Sequence, residues 1–202
     1  MSMPRTVGQH HGNLRPALIG AALEAIAEGR LPSLREVARR AGVSPAAVYH
    51  HFADKRGLLV AVADEGFRGL HRALTRPEGG PEARLRDMSA SYVRFAVEHA
   101  AHYQVMFHPE LEADPTAEPP RPPSALETSA RDAFATLVQA MADVMTQASD
   151  AEVRRQAVVA WALAHGAVQL VLGGLSPQLD ATLDGEGMAG AVGEAVVRLA
   201  QR

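Results

Sequence analysis

Apolar residues recur along the chain at spacings of three and four. Sustained alternation of apolar and polar positions is missing, so the pattern predicts helices and no strands. A first helix is expected over residues 13–28, where Asn13 is a cap, Pro16 falls in the first turn and Gly29 follows the end. Its Ile19, Ala22, Leu23 and Ile26 form one apolar stripe. A second helix starts at Ser33, which has the spacing of a capping box to Glu36, and Gly42 stops it after two turns. A third starts at Ser44-Pro45 and ends near His51-Phe52. Asp54 caps a fourth, which runs to residue 73, ahead of Pro77, Gly79, Gly80 and Pro81. Further helices are expected over 82–98, 101–107, 125–149, 151–173 and 186–201. The acidic, proline-rich stretch 108–124 is expected to be a long loop.

Two of the later segments are apolar on broad faces. Over 157–172, Trp161, Ala164, His165, Val168 and Leu172 form one stripe, with Leu163, Ala167, Leu170 and Val171 largely off it. Near the end of the chain Met188, Ala191, Val192, Ala195, Val196 and Leu199 form another. A helix that is apolar nearly all round is buried on more than one side, as in a closed core or a subunit interface. The expected fold class is all-α.

Composition narrows the chemistry. With no cysteine among 202 residues, disulfides, thiol nucleophiles and Cys-ligated metals are excluded. No apolar run reaches the roughly 18–20 residues of a membrane span, and the polar start does not read as a secretory signal. A cytoplasmic protein without membrane contact is expected. The overall charge of −3 hides an asymmetry. Residues 1–60 carry eight Lys/Arg against four Asp/Glu; residues 61–202 carry twelve against nineteen. A basic end on an acidic body suits a chain that presents one end to a polyanion.

Between Leu31 and Lys55 lie the parts of a helix-turn-helix in order. Leu34, Val37 and Ala38 are the inner face of the first helix, Gly42 the turn, and Val43 and Val48 the packing residues. Ser44 caps the second helix. The run Val43-Ser-Pro-Ala-Ala-Val-Tyr-His-His-Phe-Ala-Asp-Lys-Arg-Gly-Leu-Leu59 resembles the signature of the tetracycline-repressor (TetR) family of bacterial transcription regulators, and residues 14–67 resemble its N-terminal domain throughout. The remainder resembles the family in layout, with local echoes over 92–107 and 161–174. The resemblance implies a homodimeric regulator, more often a repressor, that binds a near-palindromic double-stranded DNA operator and answers to a small-molecule effector. It implies a DNA-binding domain over 1–60 and a ligand-binding and dimerisation domain over 61–202. It places Ser33, Tyr49 and His50 at phosphate-contacting positions, Ser44, Pro45, Ala46 and Ala47 at the start of the recognition helix, and Lys55 where its charge and the helix amides hold a phosphate. Phe52 is expected in the core. Ser44-Pro-Ala-Ala carries no side chain for bidentate base contacts. Base reading is therefore left to thymine-methyl contact, Ser44, DNA shape, or an N-terminal arm containing Arg5, His10, His11 and Arg15.

For the second domain, inward-facing polar and aromatic residues make candidate ligand contacts: Tyr92, Phe95, His99, Tyr103, Phe107, Met141, Trp161, His165 and Gln169. Such a lining suits a largely apolar molecule. His99 and His102, with Glu98 and His108 nearby, are the only metal-like spacing, and no metal or other cofactor is expected. The chain has no nucleophile elbow, phosphate loop or H-E-x-x-H, so catalysis is not expected. The rival reading is a helical oligomer that binds a small molecule or metal without specific DNA binding.

Overall fold

The structure, a computed structural model, describes residues 14–111 and 124–201. Regular structure among these residues is entirely helical: α1 (Leu14–Ala27), α2 (Leu34–Arg40), α3 (Pro45–His51), α4 (Lys55–Leu74), α5 (Pro81–Glu98), α6 (Ala100–Met106), a single 3-10 turn (Pro109–Leu111), α7 (Ala125–Val144), α8 (Asp150–Leu172), α9 (Ser176–Leu179) and α10 (Gly185–Ala200). The chain divides into two compact units, Met1–Val62 and Ala63–Arg202, with the division inside α4. The arm residues Arg5, His10 and His11 and most of the proline-rich stretch lie outside the described residues. Arg15 belongs to the first turn of α1 rather than to an arm, and its guanidinium carbon lies 5.3 Å from the centre of the Phe52 ring.

In the first unit the local signals act as read. The Ser33 hydroxyl accepts the Glu36 N–H at 3.2 Å and the Ser44 hydroxyl accepts the Ala47 N–H at 3.3 Å, so each short helix of the motif is started by a serine. Gly42 sits at φ +68°, a left-handed conformation that a side chain would strain, and lets the chain turn from α2 into α3. Leu18, Val37 and Val48 are fully buried, and Phe52 is 3% exposed. One expectation fails. Glu36 does not close the capping box, because its carboxylate is held by Arg30 at 3.1 Å and Arg40 at 3.3 Å. Arg40 also binds Glu28, tying the end of α1 to α2. Because Ser44 supplies the only side-chain cap on a helix of two turns, Ser44→Ala is expected to cost about 1 kcal/mol. Urea unfolding followed by far-UV circular dichroism reads this as a lower midpoint at unchanged slope.

In the second unit α5 packs against α6, α7, α8 and α10, and α7 and α10 both pack on α8. Arg86–Glu194 at 2.6 Å and the Arg94–Glu186 pair fasten α5 to α10. Helix α7 ends at Val144, five residues before the predicted end. Ser149 is committed to capping α8 by accepting the Glu152 N–H, so the chain must leave helical geometry before it. The short α9 carried no periodic signal. Helix α10 is turned relative to the predicted stripe: Met188, Val192 and Val196 are buried, but so are Ala189, Gly193 and Val197, while Ala191 is exposed. A β-carbon on Gly193 would lie 2.7 Å from the carbonyl oxygen of Arg86, so α5 and α10 approach as closely as they do because this position is glycine.

Candidate functional site

The outer face of the helix-turn-helix is built by a seven-residue helix with one buried side chain. Val48 anchors α3, and Pro45, Ala46, Tyr49 and His50, at spacings of one and four, share the exposed side. Tyr49 is 53% exposed despite its apolar ring. His50 and His51 stack edge to face with centroids 5.6 Å apart. Ser33, Arg35 and Arg39 are exposed on or beside α2, and Lys55 is half-buried at the start of α4. There the Asp54 carboxylate already accepts the Gly57 N–H at 2.7 Å, so one of the first-turn amides is taken and the positive charge nearest that end is the Lys55 ammonium. Arg35 and Arg39 were absent from the residues singled out from the sequence. Their spacing of four on an exposed helix face is the signal that points to them.

The second unit carries a half-open cavity of about 420 Å³ lined by α4, α5, α7, α8 and Phe107 at the end of α6. Of the nine candidates drawn from the sequence, Tyr92, Phe107 and Trp161 line it. Tyr103 and His165 stand behind Tyr92. The Tyr92 and Tyr103 hydroxyls are 3.0 Å apart, and Tyr103 Oη lies 2.7 Å from His165 Nδ1. Burial raises both phenol pKa values and lowers that of the imidazole, so the relay is uncharged near neutral pH. Met141 is fully buried in the core. Phe95 stacks on His99, centroids 4.7 Å apart, and both line a separate polar surface groove. Gln169 was expected to face inward and does not: it is exposed and lines no part of the cavity. The reason is helical drift. Each step of four residues advances a side chain by about 40°, and from Trp161 through His165 to Gln169 two such steps carry it past the buried edge. The sequence reading also missed Phe67, Leu70 and Leu74 on α4 and Phe134 and Leu137 on α7, which line the cavity. Their spacings of three and four form stripes of their own. Among the described residues no three His, Asp or Glu side chains are placed to hold a metal ion, and no helix is long and apolar enough to cross a membrane.

Residues 18–62 match the family described as "Bacterial regulatory proteins, tetR family", and residues 85–186 match the family described as "Tetracyclin repressor-like, C-terminal domain". The chain belongs to the TetR family. It is a TetR-family transcriptional regulator with an N-terminal helix-turn-helix domain followed by an all-helical C-terminal domain. Among TetR-type relatives, the HTH-type transcriptional regulator BetI of Escherichia coli is 39% identical over 79 residues, 36% of this chain. The match spans only 40% of the length of that relative. A Rhodococcus structure of a protein with unknown function superimposes with a TM-score of 0.77 at 28% identity, covering 96% of this chain and 98% of that one. The TetR family regulator PfmR of Thermus thermophilus superimposes with a TM-score of 0.66 at 17% identity, covering 90% and 97%. At that identity PfmR shows the TetR fold alone.

Proposed function

We propose that this chain is a cytoplasmic homodimeric repressor, acting by binding rather than catalysis. It would hold a near-palindromic operator through its two helix-turn-helix motifs and release it when a small, largely apolar effector fills the cavity of the second unit. The observation that carries the reading is the motif itself: two serine-capped helices about a left-handed glycine, with Pro45, Ala46, Tyr49 and His50 on the exposed side. Recognition helices of a two-fold dimer reach successive major grooves when they are about 34–36 Å apart. An effector that binds better to another spacing shifts the population away from the DNA-competent form.

The proposed roles follow the family resemblance, and the exposure of these residues supports them. Tyr49, His50 and Ser33 contact backbone phosphates, and Lys55 supplies a cation at the start of α4. Ser44, Pro45, Ala46 and Ala47 meet the groove with small, mostly apolar surfaces, which read thymine methyls and DNA shape better than guanine edges. Tyr92, Phe107 and Trp161 line the effector cavity, with Tyr103 and His165 behind them. The outer stripe of α8, where Val159, Leu163 and Leu170 are 51%, 43% and 37% exposed, supports a second copy docking there.

The test is fluorescence anisotropy with DNA from immediately upstream of the protein's own gene, a scrambled duplex as control, at two salt concentrations. Tight, salt-sensitive binding to the upstream duplex alone is expected; no binding to either duplex at low salt would overturn the reading in favour of a helical binding protein. In the same assay Lys55→Ala is expected to weaken operator binding without changing sequence preference and to reduce the slope of log affinity against log salt by about one unit. A changed sequence preference would reassign Lys55 from phosphate to base.

A further inference from the structure

The cavity can be read for the charge of what it accepts. Among the described residues, no side chain lining it carries a formal charge: the lining is aliphatic apart from Ser89 and the aromatic residues Phe67, Tyr92, Phe107, Phe134 and Trp161. The Ser89 hydroxyl already donates to the Leu85 carbonyl at 2.8 Å. Charged groups stand in a neighbouring cavity, beyond Leu74 and Met88, which line both spaces. There Arg84 is paired with Asp143 at 3.0 Å, with Asp132 nearby. A carboxylate in the first cavity would lose part of its hydration without gaining a cation among the described residues, a penalty that attraction to apolar walls does not offset. A quaternary ammonium would find aromatic rings but no carboxylate. Several of those rings are committed to one another, Phe67 edge-on to Phe107 with centroids 5.5 Å apart and Phe134 edge-on to Trp161 at 6.5 Å.

One polar group is placed to orient a ligand. Tyr92 lines the cavity; its hydroxyl meets Tyr103 and His165, neither of which lines it, and is also hydrogen-bonded to Trp161, which does. A phenol both donates and accepts, so Tyr92 can pair with a hydroxyl or a carbonyl while keeping its bond to Tyr103. The volume is at the small end of the roughly 300–1,000 Å³ typical of ligand pockets. Resting on the reading of this cavity as the effector site, we propose that the effector is a compact, uncharged, hydrocarbon-rich molecule with one hydroxyl or carbonyl group bonded to Tyr92, and that acids and quaternary ammonium ions of the same skeleton are rejected.

Trp161 is the only tryptophan in the chain and lines the cavity, so its emission reports occupancy directly. Full-length protein without DNA is titrated at pH 7.5 with 1-adamantanol, 1-adamantanecarboxylate, trimethyl(1-adamantyl)ammonium and the parent adamantane. The alcohol is expected to bind at least tenfold more tightly than either ion. Tyr92→Phe is expected to weaken the alcohol about fivefold to tenfold, the size of one hydrogen bond, and to leave adamantane unchanged. The proposal is overturned if either ion equals the alcohol, if no compound alters Trp161 emission, or if Tyr92→Phe weakens alcohol and hydrocarbon alike. The anisotropy assay separates the two readings. If an ion wins while operator binding persists, the regulator stands and only the uncharged class falls. If the alcohol wins but does not release DNA, the selectivity stands and the effector role falls.

Discussion

Gly193→Ala lowers the thermal unfolding midpoint by about 4–8 °C, the shift that about 2 kcal/mol produces in a chain of this size. The added methyl would meet the Arg86 carbonyl oxygen at 2.7 Å and its Cγ at 3.1 Å. The nearer atom is backbone, inside α5, so relief requires the two helices to separate, and separation loosens the buried row of Met188, Val192 and Val196. Alanine is the better helix former by about 1 kcal/mol, which opposes the clash without cancelling it. Gly20 supplies the comparison. It lies inside α1 with no atom within 4 Å of an added β-carbon. There the same substitution should stabilise by about 0.5–1 kcal/mol. Scanning calorimetry of both variants reads the pair, and a Gly193→Ala protein as stable as the parent would mean that α5 and α10 slide freely.

If the proposed dimer forms through α8, the double variant Val159→Glu, Leu163→Glu is expected to run as a monomer near 21.5 kDa in size-exclusion chromatography with light scattering, and the parent at twice that mass. Its operator affinity falls at least a hundredfold. On α8, Val159, Leu163, Gly166 and Leu170 fall within an arc of about 60°, opposite the row of Ala157, Trp161, Ala164 and Val168. In a two-fold interface each position meets the same surface of its partner, so two glutamates per chain bring four like charges into one desolvated strip. Half-operators joined through a dimer bind as one unit; separated headpieces lose that effective concentration. Unchanged far-UV circular dichroism distinguishes dissociation from unfolding. A double variant that stays dimeric would move the interface elsewhere.

The motif was legible because its signals are local. Ser33, Gly42 and Ser44 act on backbone groups within three residues of themselves, so a linear reading sees the whole interaction. The cavity was legible only in part. Apolar periodicity places Tyr92, Phe107 and Trp161 on inner faces, yet it cannot say which inner face meets a void and which, like that of Met141, meets packed neighbours. The relay of Tyr92, Tyr103 and His165 joins residues up to 73 positions apart and has no local signature. Gln169 misled because a spacing of four is only nearly one turn. Gly193 was invisible for another reason: its neighbour is a carbonyl of a helix more than a hundred residues earlier.

The cluster of Glu28, Arg30, Glu36 and Arg40 alters what a polyelectrolyte sees. Arg30 and Arg40 already have protein counterions, so they release few salt ions to a phosphate lattice, and the basic first sixty residues present fewer unshielded cations than their arginine content suggests. The cluster also resists acid. Hydrogen bonds from Arg40 and Arg30 hold the Glu28 carboxyl at about 2, so its contribution to the α1–α2 tie is fully present above the ordinary carboxylate range and is lost progressively as pH falls from there through about 2. Below its isoelectric point near 6.3 the protein becomes a polycation whose internal counterions at the headpiece are still ionised. The first sixty residues therefore gain no positive charge from Glu28 until the pH approaches 2.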